Sequence, residues 1–160
     1  MKELAIFNLD NITPEQEKDF RVRKVARAVV FDSENKIAVI YSKKYNFHAL
    51  PGGGIEDGES SEQAVIRECK EEIGCDVSIE KEIGYVFEYS KIKKMKYESF
   101  CYIARVVGEK GKPSLTEEEI DIGISTKWVF FDDAIELIKV SDKPFSHLAF
   151  LGEVKSLLVK

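Results

Sequence analysis

The stretch that most limits what this chain can fold into runs from Pro51 to Val77, PGGGIEDGESSEQAVIRECKEEIGCDV. Gly52, Gly53 and Gly54 open it, and glycines admit backbone conformations closed to other residues and let a ligand approach the main chain. Ser60 is a good N-cap, and Gln63 three residues on completes a capping-box pattern, so a helix is expected to start at Ser61. Gly74 suits the left-handed position just past a helix end. Ile66, Cys69 and Ile73 fall at i, i+3 and i+7 and are expected to form the buried stripe. Glu68, Glu71 and Glu72 share another face, because residues three and four apart are neighbours on a helix. Their like charges repel, so the face has the form of a metal site. The alternative is a solvated acidic helix face.

Several carboxylates beside a glycine-rich loop suit a hard cation, Mg²⁺ or Mn²⁺. Such ions also bind phosphate oxygens, which makes a di- or polyphosphate the expected substrate. A bound ion would polarise the phosphoryl group and lower the pKa of an attacking water.

The spacing reads Gly53, five residues, Glu59, seven residues, then Arg67-Glu68-Cys69-Lys70-Glu71-Glu72-Ile73-Gly74-Cys75. Over residues 53–75 this resembles the signature of the Nudix hydrolases, with its fixed glycines, glutamates and arginine present. Seven such identities, each at about 7% usage, recur by chance roughly once in 10⁸ start positions, which weighs against the solvated-face alternative. Cys69 and Cys75 stand where that family carries a bulky aliphatic; a free cysteine packs as a small hydrophobe, so the departure touches packing more than chemistry.

The resemblance implies a mixed β-sheet between helices, an α/β/α sandwich, and metal-dependent hydrolysis of a nucleoside diphosphate linked to a variable group. Carried over by position, Glu68, Glu71 and Glu72 are the metal-binding carboxylates and Gly53 offers its carbonyl oxygen. Glu68 or Glu71 would stand nearest the attacking water. Arg67 would orient the cluster by pairing with Glu59 or with Glu71, and Gly74 closes the helix. Members of that family often recruit a further acid from outside the signature. Glu117, Glu118 and Glu119, in a polar connection, and Glu98, in the segment YESFCY, are the candidates.

Substrate contacts are less constrained. Lys43, Lys44, Lys91, Lys93, Lys94 and Lys96 form two basic hairpin ends that could touch phosphates, or could simply keep edges soluble. Phe47, His48, Tyr45 and Phe87 could stack on a base, or could be core, as strand aromatics usually are. His147 is expected to begin the last helix in a structural role, and Trp128 to be core.

In chain order, LAIFNLD reads as a short edge strand and ITPEQEKDF as a polar connection or helical turn. VRKVARAVVFD and KIAVIYSKK read as a hairpin about Ser33-Glu34-Asn35, with Val25, Ala26, Val29, Val30, Ile37, Val39 and Ile40 in the core. A short strand from Phe47 to Leu50 leads into the glycines. VSIEKEIGYVFEYS and YESFCYIARVVG alternate as two long strands, GEKGKPSLTEEEID is a long polar connection, and STKWVFFD is a last strand. DAIELIKV and SHLAFLGEVKSLL read as helices.

At 160 residues, residues 1–160 suit one domain with a proper core. A net charge of −5 gives no footprint for nucleic acid or an anionic membrane. No apolar run reaches transmembrane length, and the N-terminus lacks a basic start followed by an apolar core. Cys69, Cys75 and Cys101 have no zinc-type spacing and suit a reducing cytoplasm. The expected partner is a small nucleotide, such as an oxidised or ordinary nucleoside triphosphate or ADP-ribose. Two rival readings are a nucleotide-sensing module of the same fold without catalysis and an enzyme that processes RNA ends. Oligomeric state is not legible.

Overall fold

The computed structural model describes residues 1–159. In chain order its elements are β1 (Glu3–Phe7), α1 (Pro14–Glu17), β2 (Arg21–Phe31), β3 (Ile37–Ser42), β4 (Phe47–Ala49), β5 (Gly52–Gly54), α2 (Ser61–Ile73), β6 (Asp76–Ser90), β7 (Met95–Val107), α3 (Glu117–Asp121), β8 (Ile124–Val129), α4 (Phe131–Lys139) and α5 (Phe145–Leu158). The strands make one sheet in the order β1-β6-β7-β2-β3-β4, with β5 against β2 and β8 against β3. The β1–β6 and β2–β7 pairs are parallel and the others antiparallel, so the sheet is mixed.

Period-2 alternation assigns the two faces. On β2, Ala26, Ala28 and Val30 face α2, packing with Ala64, Val65, Cys69 and Ile73. Val29 and Phe31 face the other way, onto Ala134 and Ile138 of α4 and Phe150, Leu151 and Val154 of α5. This is the expected α/β/α layering. All seven core residues anticipated for the β2–β3 segment are buried.

The sandwich departs from expectation in four places. The hairpin of β2 and β3 closes only at its turn, pairing Phe31 with Ile37. The turn itself is well made: Asp32 Oδ1 accepts the N–H groups of Glu34 and Lys36 at 2.9 Å each, and Asn35 sits at φ 58°. Beyond it the strands part, because the glycine strand β5 takes the N-terminal half of β2, matching Val25, Ala26 and Arg27 to Gly54, Gly53 and Gly52. The buried stripe of α2 is Val65, Cys69 and Ile73, while Ile66 is 43% exposed. Both sets suit a helical repeat, and packing against the small residues of β2 selects the i, i+4, i+8 row. The last strand stops at Val129, and Phe131 already lies in α4. The polar connection ends in α3, capped by Thr116, whose Oγ1 accepts the Glu119 N–H at 3.3 Å.

No helix among the described residues is long and apolar enough to cross a membrane.

Candidate active site

Helix α2 is delimited as its sequence requires. Ser60 Oγ accepts the Gln63 N–H at 3.1 Å, Gln63 Oε1 accepts the Ser60 N–H at 2.8 Å, and Gly74 ends the helix at φ 67°. The strand β5 lies beside it, and the fit is close. A Cβ on Gly53 would stand 2.3 Å from Glu68 Oε1, so only glycine leaves room for that carboxylate. Gly52 has φ 134°, and a Cβ there would stand 2.1 Å from the Ala26 carbonyl oxygen.

Arg67 is the hub. Its Nε and Nη2 donate to the two oxygens of Glu59 at 2.8 and 3.0 Å, a bidentate pair. Its Nη1 donates to Glu68 Oε1 at 2.9 Å and to Glu71 Oε2 at 3.4 Å, and Nη2 also donates to the Gly54 carbonyl at 2.9 Å. Both pairings expected for Arg67 are therefore present at once. The Arg67 guanidinium holds the Glu59 carboxyl below its ordinary range, and Glu59 in turn accepts the Glu56 N–H at 3.0 Å, fixing the acidic loop.

The three acids of α2 are not gathered into one cluster. Among the described residues no three His, Cys, Asp or Glu side chains form a ready-made metal group. Each carboxylate turns to a donor that the chain offers. Glu68 goes to Arg67, Glu72 Oε2 accepts the Gly52 N–H at 2.8 Å, and Glu71 stays 46% exposed. Burial raises the Glu72 carboxyl to about 8; the Gly52 N–H and Arg27 pull it down, while Glu68 and Glu119 push it further up. Burial also raises Glu68, against Arg67, with Glu71 and Glu119 adding to the rise. These are half-buried, all-oxygen donors whose negative charge the protein leaves partly uncompensated. That donor set fits a hard divalent cation.

Of the outlying acids, Glu119 alone acts on Glu68 and Glu72. It is half-buried, and Glu117 and Glu118 are exposed. The connection that carries it is pinned to α2, with the Gly111 N–H on the Gly74 carbonyl at 2.9 Å and the Ser114 N–H on the Glu71 carbonyl at 2.7 Å. Glu98 alternates onto the sheet face of Phe100 and Tyr102, and lines neither of the cavities described next.

Two cavities meet beside Gly54. One, of 450 Å³, holds Arg67, Glu68, Lys24 and Glu56. The other, of 360 Å³, opens on the opposite sheet face, and Arg23 and Gly54 line both. The floor of the second follows from alternation: Arg23, Val25 and Arg27 on β2, Tyr97 and Ser99 on β7, Glu88 and Ser90 on β6. Lys93, Lys143, Ser146 and His147 form its rim. Arg27 Nη1 donates to the Leu50 and Gly52 carbonyls at 3.1 and 3.2 Å, tying the floor to the glycine segment. His147 Nδ1 accepts the Leu50 N–H at 3.3 Å, so that nitrogen is unprotonated. Burial, helped by Arg27, keeps the ring neutral.

The expected substrate contacts Lys43, Lys44, Phe47 and His48 line neither cavity. Pairing of β4 with β3 carries His48 onto Tyr41, with ring centroids 4.8 Å apart, and its Nε2 meets Lys127 Nζ at 3.1 Å. Lys44 faces Asp121 at 3.4 Å, and Lys43 packs beneath Gly123. Tyr45 is exposed, and Lys96 is spent on Glu17 at 2.6 Å and on the Phe87 ring. Of the two basic hairpin ends, Lys93 reaches the 360 Å³ cavity, while Lys91 and Lys94 line a separate one of 140 Å³ beside Ile12 and Phe20. Arg23, Arg27, Glu88, Tyr97 and Lys143 were not anticipated. The one available signal was Arg23 and Arg27, two strand repeats apart and therefore on one face of β2.

The sequence matches the NUDIX domain family over residues 21–149. It is 30% identical over 112 residues to an ADP-ribose pyrophosphatase of Methanocaldococcus jannaschii, a match covering 66% of this chain and 66% of that protein, just under two thirds. It is 26% identical over 137 residues to the mouse diphosphoinositol polyphosphate phosphohydrolase 3-alpha, covering 85% of this chain and 79% of that protein. Among solved structures a NUDIX hydrolase from Nitrosomonas europaea superposes with a TM-score of 0.70 at 20% identity, covering 85% of this chain and 90% of that one.

Proposed function

This chain belongs to the Nudix family, and from that premise we propose that it hydrolyses a pyrophosphate bond in a nucleoside diphosphate linked to a further group, with a divalent cation as cofactor. The observation that carries the reading is the Arg67-ordered row of Glu59, Glu68 and Glu71 beside Gly53, opening onto a cavity that Arg23 and Lys24 line. The names of the two relatives, a pyrophosphatase and a phosphohydrolase, support it.

Glu68, Glu71 and Glu72, with the carbonyl of Gly53, would hold Mg²⁺ or Mn²⁺, which supplies charge neutralisation at phosphorus and a lowered pKa for water. The remaining roles belong to the chain. Arg67 holds Glu59 and Glu68 through one guanidinium and links both to the Gly54 carbonyl. Glu68 lines the cleft, and its raised affinity for protons suits it to accept one from the attacking water. A P–O bond forms to the water oxygen and the bridging P–O bond breaks. The leaving phosphate carries away the bridging oxygen and its electron pair. Arg23, shared by the two cavities, is placed to hold the phosphate chain across them.

The test is a panel of nucleoside triphosphates, an oxidised guanine triphosphate and ADP-ribose, each with Mg²⁺ in ¹⁸O-labelled water. Release of pyrophosphate, or of two monophosphates, with the label in one product supports the reading. Saturable binding of a nucleotide without turnover would favour the rival sensing module.

A further inference from the structure

The 360 Å³ cavity has a charge that the cleavage reaction alone does not require. Four cationic side chains, Arg23, Arg27, Lys93 and Lys143, stand against one carboxylate, Glu88, in its wall. The chain as a whole is at −5, so the concentration is local. None of Arg23, Lys93 and Lys143 takes part in an ion pair among the described residues. Arg27 spends one nitrogen on the two carbonyls, which leaves donors over. Tyr97 and the buried His147, whose Nδ1 is taken by the Leu50 N–H, are the rings in its lining, so the wall has little with which to sandwich a base.

Lys143 adds a second, independent observation. It sits at φ 51° directly before Pro144. L-residues other than Asn and Asp avoid that region, and residues before proline favour extended backbone. Such outliers persist where the surrounding structure over-determines them, and they cluster at ligand sites. Here the strained turn holds Lys143 at the cavity rim.

A diphosphate bridging two uncharged groups carries its charge at the scissile linkage, which belongs beside Glu68 in the other cavity. It would leave Arg27, Lys93 and Lys143, which line this cavity and not the other, without phosphate partners. Each further phosphate brings strong acceptor oxygens that match guanidinium and ammonium donors. We propose that this cavity is a subsite for phosphate groups beyond the scissile pair, so that the chain prefers substrates with three or more phosphates to diphosphates ending in an uncharged sugar. This rests on the hydrolase reading for the bond cleaved, but the subsite binds phosphate without cleavage.

The experiment separates the two. Inorganic tripolyphosphate is titrated calorimetrically into the full chain, in chelator and at low salt, with inorganic phosphate as the comparison. Lys93→Ala and Lys143→Asn are the variants, asparagine being chosen because it tolerates positive φ. Each is expected to weaken tripolyphosphate binding about tenfold, the scale of one lost hydrogen bond to a charged group. Lys93→Arg should retain binding, and Lys155→Ala on α5 should not change it. The ratio of kcat/KM for a nucleoside triphosphate over ADP-ribose should fall in step in both variants. Undiminished tripolyphosphate affinity in the Lys93→Ala, Lys143→Asn double variant overturns the subsite, whatever the enzyme hydrolyses. Lysine-dependent tripolyphosphate binding in a chain that hydrolyses nothing on the panel upholds the subsite and defeats the hydrolase reading.

Discussion

Replacing Arg67 with alanine removes the donor from four groups at once: both oxygens of Glu59, one of Glu68, one of Glu71 and the Gly54 carbonyl. The magnitude depends on how dry the pair is. An exposed ion pair is worth about 0–1 kcal/mol, and breaking a fully buried one costs about 3–5 kcal/mol. Arg67 is 25% exposed and Glu59 14%, which puts the Arg67–Glu59 pair between those limits but nearer the buried one. Arg67→Ala is therefore expected to cost about 2–3 kcal/mol, a fall in Tm of roughly 4–12 °C for a domain of this size. A double-mutant cycle with Glu59→Gln, which keeps an acceptor for the Glu56 N–H, isolates the bidentate pair. Urea denaturation in chelator at neutral pH should return a coupling energy above about 1 kcal/mol, well outside the roughly 0.3–0.5 kcal/mol scatter of independent sites. Arg67→Lys keeps the charge but not the fork, and should lose most of the same stability. If the two single changes add within that scatter, Arg67 does not hold the acidic loop on the helix and the hub described above is wrong.

The Glu72 carboxyl is raised to about 8 from an ordinary 4.5, so folding takes up a proton between those values. Its contribution to stability is complete below about pH 4.5 and is lost as pH rises towards 8. In chelator, the unfolding free energy of the parent from urea denaturation should fall over that window by about 2–5 kcal/mol, while Glu72→Gln should remove most of the slope. Gly53→Ala puts a methyl group where Glu68 Oε1 now lies, at 2.3 Å. Steady-state kinetics should show about a 10²-fold loss in kcat with the far-ultraviolet circular dichroism unchanged. Glu119→Gln keeps an acceptor for Thr116 and removes the charge acting on Glu68 and Glu72. It should lower kcat about tenfold or more, with Glu117→Gln and Glu118→Gln within about twofold of the parent.

What could be read from the sequence was local. The ends of α2, its capping box and the shared face of Glu68 and Glu71 depend on spacings of three and four residues, which the chain states outright. Two of the Arg67 partners were equally legible, because Glu59 lies one loop away and Glu71 one turn on, whereas Glu68 and the Gly54 carbonyl were not anticipated. The apolar residues of β2 were legible as core without being divided between its faces, and which face met a cavity required β7 beside it in parallel, pairing Arg23 with Tyr97 and Val25 with Ser99. That juxtaposition spans more than seventy residues and leaves no local trace. The same gap misplaced His48 and Phe47. They stand next to the glycines in the chain, yet β4 pairs with β3 and turns them away. Ile66 failed for another reason: a helical repeat admits neighbouring stripes, and only the small side chains of Ala26 and Ala28 beneath α2 choose between them. Glu68 and Glu71 meet at Arg67, whereas Glu72 takes the Gly52 N–H, a partner that helical spacing alone does not reveal.

The central claim is that the carboxylates of α2 act through a divalent cation on a phosphoric anhydride. Its most direct test is the hydrolysis rate of a nucleoside triphosphate, titrated with Mg²⁺ after exhaustive chelation, for the parent and for Glu68→Gln. The account predicts no turnover in chelator, a saturable return with Mg²⁺ in the parent, and a rate lower by about 10²- to 10⁴-fold in Glu68→Gln at saturating Mg²⁺. Parental turnover persisting in excess chelator, or a Glu68→Gln rate within a few-fold of the parent, would contradict it.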